Sequence, residues 1–302
     1  MCIRDRFKTG GHQNYQVSVS GGGQNTQFYS SLSYTKQDGI IQNQGLERFT
    51  GNANLTHTFK KLTVQVTSQF SKMIQKKTNE GTSYDGAVAN YAFFQSPSST
   101  PYNEDGSLNS GCGMFGVNPL YEFQHSSDRA TIIKAFNTIK ATYNIWDNLN
   151  LSEKISYDYM SNTNDVLWDR YSNNGGPGGV MQRIISKNEQ LNTQTQLTYN
   201  KAFGEHNVDA LLGFETEDNK YAYNYLSGQD YPGDLYEFVN AGSTSAESSY
   251  QAYRLTSFLG RVNYDFGGKY YLSASYRTDG SSRLARDNRW GSFWSVSGAW
   301  RF

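Results

Sequence analysis

The last nine residues, WSVSGAWRF (294–302), alternate between two kinds of side chain. Large apolar groups occupy every second position from Trp294 to Phe302, apart from Gly298, and small or polar groups fill the positions between. Because side chains of a strand point alternately to its two faces, this pattern predicts a β-strand with one aromatic face and one small, polar face. The aromatic face must be covered either by a second sheet or by lipid.

The same alternation recurs along the chain in about eleven segments. The predicted strands are 14–20, 26–35, 48–59, 62–73, 133–146, 149–160, 189–203, 206–217, 253–266, 270–278 and 294–302. Most are about 9–14 residues long, which is close to the roughly 9–11 residues that a tilted transmembrane strand needs. An ordinary strand of a soluble protein has about 5–6 residues.

Short and long connections alternate between these segments. The short ones are GGGQN, KK, DN, GE and GGK; long ones fall at 74–128, 161–188, 218–252 and 279–289. The order predicts an antiparallel sheet with every short turn at one end and every long connection at the other. Transmembrane β-barrels have this asymmetry, with short periplasmic turns and long extracellular loops. We expect 74–128 to be the least regular region.

An aromatic residue stands directly before four of the short turns: Phe59, Trp146, Phe203 and Phe266. Aromatic girdles mark the membrane interfaces of barrels, so these four residues are expected at the periplasmic edge. An aromatic side chain can also close the core of a soluble β protein, and a half-buried soluble sheet gives the same alternation. Periodicity alone therefore leaves a soluble β-sandwich as an alternative.

Composition argues against a helical membrane protein, a nucleic-acid-binding protein and a metal site. The mean hydropathy is −0.70, and no stretch approaches the roughly 18–20 apolar residues of a membrane-spanning helix. Twenty-seven basic residues balance 27 acidic ones, so no overall charge favours nucleic acid. The two cysteines, Cys2 and Cys112, and the four scattered histidines have no metal-ligand spacing.

The run 257–302 closely resembles the barrel of SusC/RagA-type TonB-linked outer-membrane proteins. The residues that carry the resemblance are Gly260, Arg261, Val262, Asn263 and Tyr264, then Asp279, Gly280, Ser281, Ser282 and Arg283, then Asn288, Arg289, Trp290 and Gly291. Leu284 stands where the family has an aromatic residue. Earlier stretches, 14–41 and 197–215, look like other hairpins of the same family.

The resemblance implies an all-β antiparallel transmembrane barrel in the outer membrane, of which about eleven strands of 22 are expected here. It implies a transporter that imports glycans or peptides with a SusD-like surface lipoprotein. An amino-terminal plug and a segment that contacts the TonB complex are implied but not recognisable. We expect residues 1–9 to be non-native or disordered and 10–302 to be an internal part of the barrel, with further strands after Phe302.

No catalytic or cofactor-binding constellation is apparent in the sequence. The glycine-rich turn at 20–25 lacks the Lys-Ser/Thr of a phosphate-binding loop. The carboxylates Asp158, Asp165, Asp169 and Glu215 are interpreted as solvated groups and not as a glycosidase pair. The family-motif residues are interpreted as structural, with Arg283, Arg286 and Arg289 holding a loop.

Substrate contacts are expected from aromatic residues of the long connections, because aromatic rings stack on sugars and peptides. The candidates are Tyr91, Phe93, Phe94, Trp168 and Tyr171.

Three functions fit the sequence: an energy-coupled nutrient transporter, a passive outer-membrane porin or adhesin, and a soluble carbohydrate-binding sandwich. No enzymatic activity is expected. The loop sequences do not choose between glycan and peptide.

Overall fold

A computed structural model describes residues 7–78, 98–111 and 116–302. Their architecture is one antiparallel sheet of eleven strands, each hydrogen-bonded to its neighbours in sequence. The strands are β1 (Gly11–Gly22), β2 (Thr26–Asp38), β3 (Gly45–Phe59), β4 (Leu62–Lys77), β5 (Ser126–Trp146), β6 (Leu149–Trp168), β7 (Val180–Phe203), β8 (His206–Gln229), β9 (Ser243–Phe266), β10 (Tyr270–Ser281) and β11 (Trp290–Trp300).

This topology confirms the predicted antiparallel meander and the fold class of a partial barrel. The sheet is open, with β1 and β11 at its two edges. The alternative of a soluble sandwich is wrong, because such a fold needs two packed sheets and all eleven strands belong to one. Residues 1–6 lie outside the described residues, and the strand pairing reaches back to Phe7, which forms a bridge with Ile41.

The short turns lie where the sequence predicts them. β3, β5, β7 and β9 end at Phe59, Trp146, Phe203 and Phe266, the four aromatic residues noted above. The turns need a left-handed backbone, with φ of 52° at Lys60 and 62° at Gly204. We call this edge of the sheet the turn end and the opposite edge the loop end.

Several strands extend farther toward the loop end than the sequence pattern predicts. β7, β8 and β9 each have 24 residues, which at about 3.3 Å per residue gives a length of roughly 80 Å. The expected loops 161–188 and 218–252 are therefore mostly strand, and only 169–179 and 230–242 connect them. Near the loop end the regular alternation is lost, with Ile184 next to Ile185 on β7 and a mostly polar run, STSAESS, opening β9, although the backbone pairing continues.

The two faces of the sheet differ in chemistry. Leu212, Tyr276 and Trp294 lie in one cross-strand row on what we call the apolar face, and 64% of Leu212 and 77% of Trp294 are exposed. On the opposite, polar face Ser156 and Ser257 are buried although they are small and polar. Side chains crowd on the inside of a curved sheet, so this difference is expected if the polar face is concave.

Toward the loop end, charged residues replace the apolar side chains of the apolar face. On β4 the face is apolar from Leu62 to Phe70 except at Ser68, and Lys72 follows. On β8 and β9 the apolar rows end with Phe214 and Phe258, beyond which Asp218 and Arg254 pair across the strands. The apolar residues thus form a band along the turn-end side of the sheet, bordered by charge.

Helical structure is minor in the described residues. It consists of α1 (Pro119–His125) and two 3₁₀ turns at Phe238–Asn240 and Arg286–Asn288. None of these helices is long and apolar enough to cross a membrane.

Candidate functional site

The connections at the loop end fold onto one another. α1 precedes β5, and its first turn is capped by Asn118, whose side chain accepts a hydrogen bond from the Leu120 amide at 3.1 Å. The same side chain donates to the carbonyls of Pro101 and Asn109. A buried Asn118 thereby joins the segment 98–111 to the start of the helix.

Helix α1 is bound to the connection between β6 and β7 by its own carboxylate. Glu122, only 3% exposed, accepts hydrogen bonds from Ser172 Oγ at 2.6 Å and from the Asn173 amide at 2.9 Å. His125 Nδ1 lies 2.7 Å from Asp169 Oδ2. A buried carboxylate is stable only with such donors, so Glu122 fixes this contact.

The connection between β8 and β9 contacts the other side of the same tip. Arg170 donates to the Tyr231 carbonyl at 3.1 Å and approaches the Asp234 carboxylate at 3.1 Å. The Tyr231 amide donates to the Gly178 carbonyl. A Cβ on Gly178 would lie 2.5 Å from the Asp230 Cα, so only glycine allows this approach. We call α1 with 169–179 and 230–242 the loop cap.

Burial within the loop cap raises the pKa of two tyrosines, Tyr121 and Tyr231. The pKa of Tyr121 is raised, first by desolvation and then by the neighbouring carboxylates of Asp169 and Glu122. The Tyr121 ring lies 4.2 Å from the His125 ring. Tyr121 therefore remains a neutral hydroxyl group at the edge of the cap.

A cavity of about 580 Å³ lies between α1 and the loop ends of β4, β5 and β6. Trp168 and Val166 form part of its wall, and Lys77 and Asp128, neighbours in the same wall, form an ion pair at 3.3 Å. Asn43, which also lines the cavity, donates a hydrogen bond to the Phe123 carbonyl at 2.7 Å. An aromatic ring beside amide, carboxylate and ammonium groups suits a polar organic ligand with apolar surfaces.

The predicted contact residues do not form one cluster. Trp168 lines the cavity. Tyr171 lies at the tip of the 169–179 connection, 56% exposed, with its ring 5.3 Å from that of His125. Tyr91, Phe93 and Phe94 lie outside the described residues. Sequence reasoning missed Glu122, Arg170 and Ser172, because isolated polar residues in long connections give no periodic signal.

Further along the polar face, Arg277 joins three strands. Its guanidinium lies 3.1 Å from Glu215 and 2.7 Å from Asp279 and donates to Ser257 Oγ at 3.0 Å. Gln194 also donates to Glu215. Glu215 is thus held by positively polarised partners and is not one of a pair of free carboxylates. The remaining acids of the possible glycosidase pair, Asp158, Asp165 and Asp169, do not converge with Glu215 on one point.

The family-motif residues contact side chains of neighbouring strands and the backbone. Arg261 approaches Asp209 at 3.9 Å, and Asn263 donates to the same carboxylate. Ser282 exchanges hydrogen bonds with the backbone of Arg254. The remaining contacts are Gly280 against the Trp290 ring, Asp279 with Arg277, the Ser281 amide to the Arg289 carbonyl, Arg283 over the Tyr253 ring and Arg289 to the Leu284 carbonyl. Asn288 ends a 3₁₀ turn and Gly291 lies in β11.

Within the described ranges no group of three or more His, Cys, Asp or Glu residues is arranged to hold a metal ion. The cysteine of the β4–β5 connection, Cys112, lies outside those ranges.

Comparison with known proteins identifies relatives along almost the whole chain. The sequence is 27% identical to TonB-dependent receptor P3 of Formosa agariphila over 97% of this chain. It is 25% identical to TonB-dependent receptor SusC of Bacteroides thetaiotaomicron over 98% of this chain. The chain spans about 30% of the length of these relatives. No family model matches the sequence.

Solved structures give the same fold. The RagAB peptide transporter superposes with a TM-score of 0.83 at 20% identity, over 98% of this chain and 35% of that one. The ferric citrate transporter FecA superposes less closely, with a TM-score of 0.57 at 8% identity and 38% of its chain covered. These likenesses show that the eleven-stranded sheet has the shape of a section of a TonB-dependent receptor barrel.

The sequence relatives, the barrel-like sheet and the sorted turns agree on one class of protein. The resemblance predicted from 257–302 is confirmed and extends over nearly the whole chain. The chain is therefore a section of an outer-membrane β-barrel similar to the SusC/RagA-type TonB-dependent receptors.

Proposed function

We propose that this chain forms wall, loops and part of the lumen of a TonB-dependent outer-membrane transporter. The transporter imports oligosaccharides or peptides with a SusD-like surface lipoprotein, and an amino-terminal region couples it to the TonB complex. The chain has no enzymatic activity and needs no cofactor in this role. The observation that carries the proposal is the similarity to TonB-dependent receptors over 97–98% of the chain.

The two faces of the sheet support this assignment. Lipid covers the apolar band, where Leu212 and Trp294 are otherwise exposed to water. The polar face lines the lumen, and its serine, threonine and asparagine side chains are compatible with a hydrated passage. The turn end is periplasmic and the loop end is extracellular, as short turns and long loops are arranged in known barrels.

The loop cap supports a role in substrate capture. The cavity beside α1 opens at the loop end, where a substrate arrives from outside, and Trp168 offers it an aromatic face. Asn43, Asn174 and Asp128 also line the cavity and offer it hydrogen-bonding groups. Sugars and peptides both present apolar edges beside polar groups, so the cavity fits either class.

A growth experiment tests the proposal. The gene that encodes this chain is deleted, and growth on single oligosaccharides and on peptides as sole nutrient is compared with that of the parent strain. If the chain belongs to a transporter, the deletion strain should fail to grow on at least one nutrient class. The intact gene should restore that growth. Normal growth on every nutrient tested, with the gene absent, would contradict the proposal.

Energy coupling separates the transporter from a passive porin. Uptake of the affected nutrient is measured with and without TonB, and with the proton gradient collapsed. A TonB-dependent transporter loses uptake in both conditions, whereas a porin continues to admit the nutrient along its concentration gradient. Co-purification of a surface lipoprotein with the tagged receptor tests the SusD-like partner separately.

A further inference from the structure

Three tyrosines form a row along one strand near the loop end. They belong to the run YAYNY at 221–225, which falls within a predicted long connection but lies inside β8 in the structure. Because every second residue of a strand shares a face, Tyr221, Tyr223 and Tyr225 point to the same side, roughly 6.6 Å from one to the next. The pairing of β8 with both neighbouring strands is continuous over this range. We call this unbroken row the tyrosine ladder.

The tyrosine ladder lies on the polar face of the sheet. Its residues fall on the same alternate positions of β8 as Glu215, which lines a cavity of that face together with Ser156. The connection 230–242 folds over the opposite face, where the Arg183 guanidinium lies 5.7 Å from the centre of the Phe238 ring. The three rings are partly exposed. The ladder is therefore accessible from the side that we assign to the lumen.

The ladder tyrosines differ from a tyrosine that holds the fold together. On β9, Tyr253 donates a hydrogen bond of 2.7 Å to Glu217, and the Arg283 guanidinium lies 3.9 Å from the centre of its ring. Across the part of the chain that the structure describes, no hydrogen bond uses a ladder hydroxyl group and no other ring stacks on a ladder ring. The hydroxyl groups and ring faces of the ladder are thus free to contact a ligand.

The neighbouring strands add side-chain amides to the same surface. Across the register from Tyr223 lie Ser186 on β7 and then Asn162 on β6. The next row joins Tyr225 to Asn164 in the same way. The Oδ1 atoms of both asparagines are shielded from solvent and have no hydrogen-bond partner among the described residues. Such unpaired atoms are uncommon in a folded protein, and a ligand hydroxyl group beside them would supply the missing partner.

The surface around the ladder carries little charge. In the three rows of the ladder, the polar face of β6, β7 and β8 bears tyrosine, asparagine, serine, isoleucine and methionine side chains. The charged residues of these rows on β5–β9 are Glu247, opposite Tyr225, and Lys134, three strands away from Tyr221. Asp158 follows on β6 one row nearer the turn end. Aromatic rings beside neutral amides and hydroxyl groups suit an uncharged ligand with apolar faces and hydroxyl groups.

The height of the ladder places it outside the membrane. Tyr223 lies 17 residues beyond His206, the first residue of β8. At about 3.3 Å per residue and a strand tilt of about 40°, this distance is roughly 43 Å along the barrel axis. The hydrocarbon core of a bilayer is only about 30 Å thick. The ladder is therefore not part of an aromatic girdle, whose residues face lipid, and it lies where a substrate enters the lumen.

We propose that the tyrosine ladder binds an uncharged oligosaccharide along β8, with sugar faces on the rings and sugar hydroxyl groups at Asn162 and Asn164. The inference deepens the proposed function and rests on it, because it takes the polar face as the substrate passage. A peptide would bind a sheet mainly by adding a strand to a free edge, and β8 has paired neighbours on both sides. The ladder is also separate from the cavity beside α1, which none of its residues lines.

The test is isothermal titration calorimetry on the complete receptor that contains this chain, purified in detergent. The probes are neutral hexasaccharides of glucose, mannose, galactose and xylose, the acidic hexagalacturonate, and the peptide (Gly-Ser)₃. The ladder variants are Tyr221→Ala, Tyr223→Ala and Tyr225→Ala, each made singly so that a variant that fails to fold leaves two others. Tyr223→Phe retains the ring. The matched control is Tyr250→Ala, because Tyr250 pairs with Ala222 on the opposite face and is 65% exposed.

The wild type and Tyr250→Ala should bind at least one neutral hexasaccharide more tightly than hexagalacturonate or the peptide. Each ladder variant should weaken that binding by between about twofold and tenfold, the range for one lost aromatic contact, and Tyr223→Phe should recover most of it. The inference is overturned if no neutral probe binds, if the acidic probe or the peptide binds more tightly, or if the folded ladder variants keep the wild-type affinity.

Uptake of the same probes by cells separates this inference from the proposed function. If the wild type binds a neutral hexasaccharide through the ladder but imports none of the probes, the proposed function fails while the binding site stands. If the receptor imports a probe and the ladder variants bind and import it like the wild type, the inference fails while the proposed function stands.

Discussion

Ser172 Oγ donates a hydrogen bond of 2.6 Å to Glu122, a carboxylate fifty residues earlier in the chain. This bond joins the connection between β4 and β5 to the one between β6 and β7. Both groups are buried, so the link is shielded from competing water. It joins two of the three parts of the loop cap, and the Arg170 contact with the Tyr231 carbonyl joins the third.

Ser172→Ala should loosen the loop cap without disturbing the sheet. A hydrogen bond to a charged group contributes about 1.5–3 kcal/mol, and its loss leaves Glu122 with a buried and partly unpaired charge. We expect faster amide exchange and faster proteolysis within 169–179. Glu104→Gln, on the exposed part of the 98–111 segment, is the control. Equal amide exchange within 169–179 in the two variants would contradict a role of the Ser172–Glu122 bond in holding the loop cap.

Gly280→Ala should destabilise the last two strands. A Cβ at this position would lie 2.9 Å from the Trp290 ring, and overpacking of this kind costs about 1–3 kcal/mol. The measurement is the temperature at which the complete receptor unfolds in heat-modifiability gels. Gly23→Ala, where an added Cβ meets nothing within 4 Å, should leave that temperature unchanged. If Gly23→Ala shifted the unfolding temperature as much as Gly280→Ala, contact with the Trp290 ring would not explain the loss of stability.

The assignment of the two faces predicts opposite effects of the same new charge. Leu212→Lys places an ammonium group on the apolar face and should cost up to about 2–4 kcal/mol if lipid covers that face. Thr198→Lys places the same group on the polar face of the adjacent strand and should be tolerated. Unfolding of both variants in lipid vesicles gives the comparison. Equal stability of the two variants would argue against lipid on the apolar face.

The sidedness of the sheet predicts which single cysteines react on intact cells. In a parent protein with Cys2 and Cys112 replaced by serine, Tyr171→Cys and Leu235→Cys should be labelled by an impermeant maleimide. Lys60→Cys and Glu205→Cys at the turn end should react only after the outer membrane is permeabilised. The reverse pattern would invert the orientation.

The position of Trp168 in the cavity wall predicts that loss of its ring weakens substrate uptake. Trp168→Ala should lower substrate uptake by between about twofold and tenfold, since an aromatic contact contributes about 0.5–1.5 kcal/mol. Trp168→Phe keeps a ring and should recover most of the uptake. Tyr171→Ala, outside the cavity wall, serves as the comparison. Uptake that falls equally for Trp168→Ala and Trp168→Phe would point to packing and not to substrate stacking.

The sequence by itself determined the strand order, the turn end and the two faces of the sheet. These features are local: alternation with period two identifies a face, and a short polar turn after an aromatic residue fixes where a strand ends. Phe59, Trp146, Phe203 and Phe266 end their strands in the structure as they do in the pattern. The resemblance over 257–302 added the class of protein.

Only the tertiary structure decided how far the strands extend and what the loop cap is made of. Beyond the apolar band the sequence no longer keeps one apolar and one polar face, as the adjacent Ile184 and Ile185 of β7 and the polar start of β9 show, so the pattern does not mark where these strands end. The pairs Glu122–Ser172 and Arg170–Asp234 join residues that are 50 and 64 positions apart. Contacts of that kind depend on where the strands carry their loops, and they exist only once the whole sheet has formed.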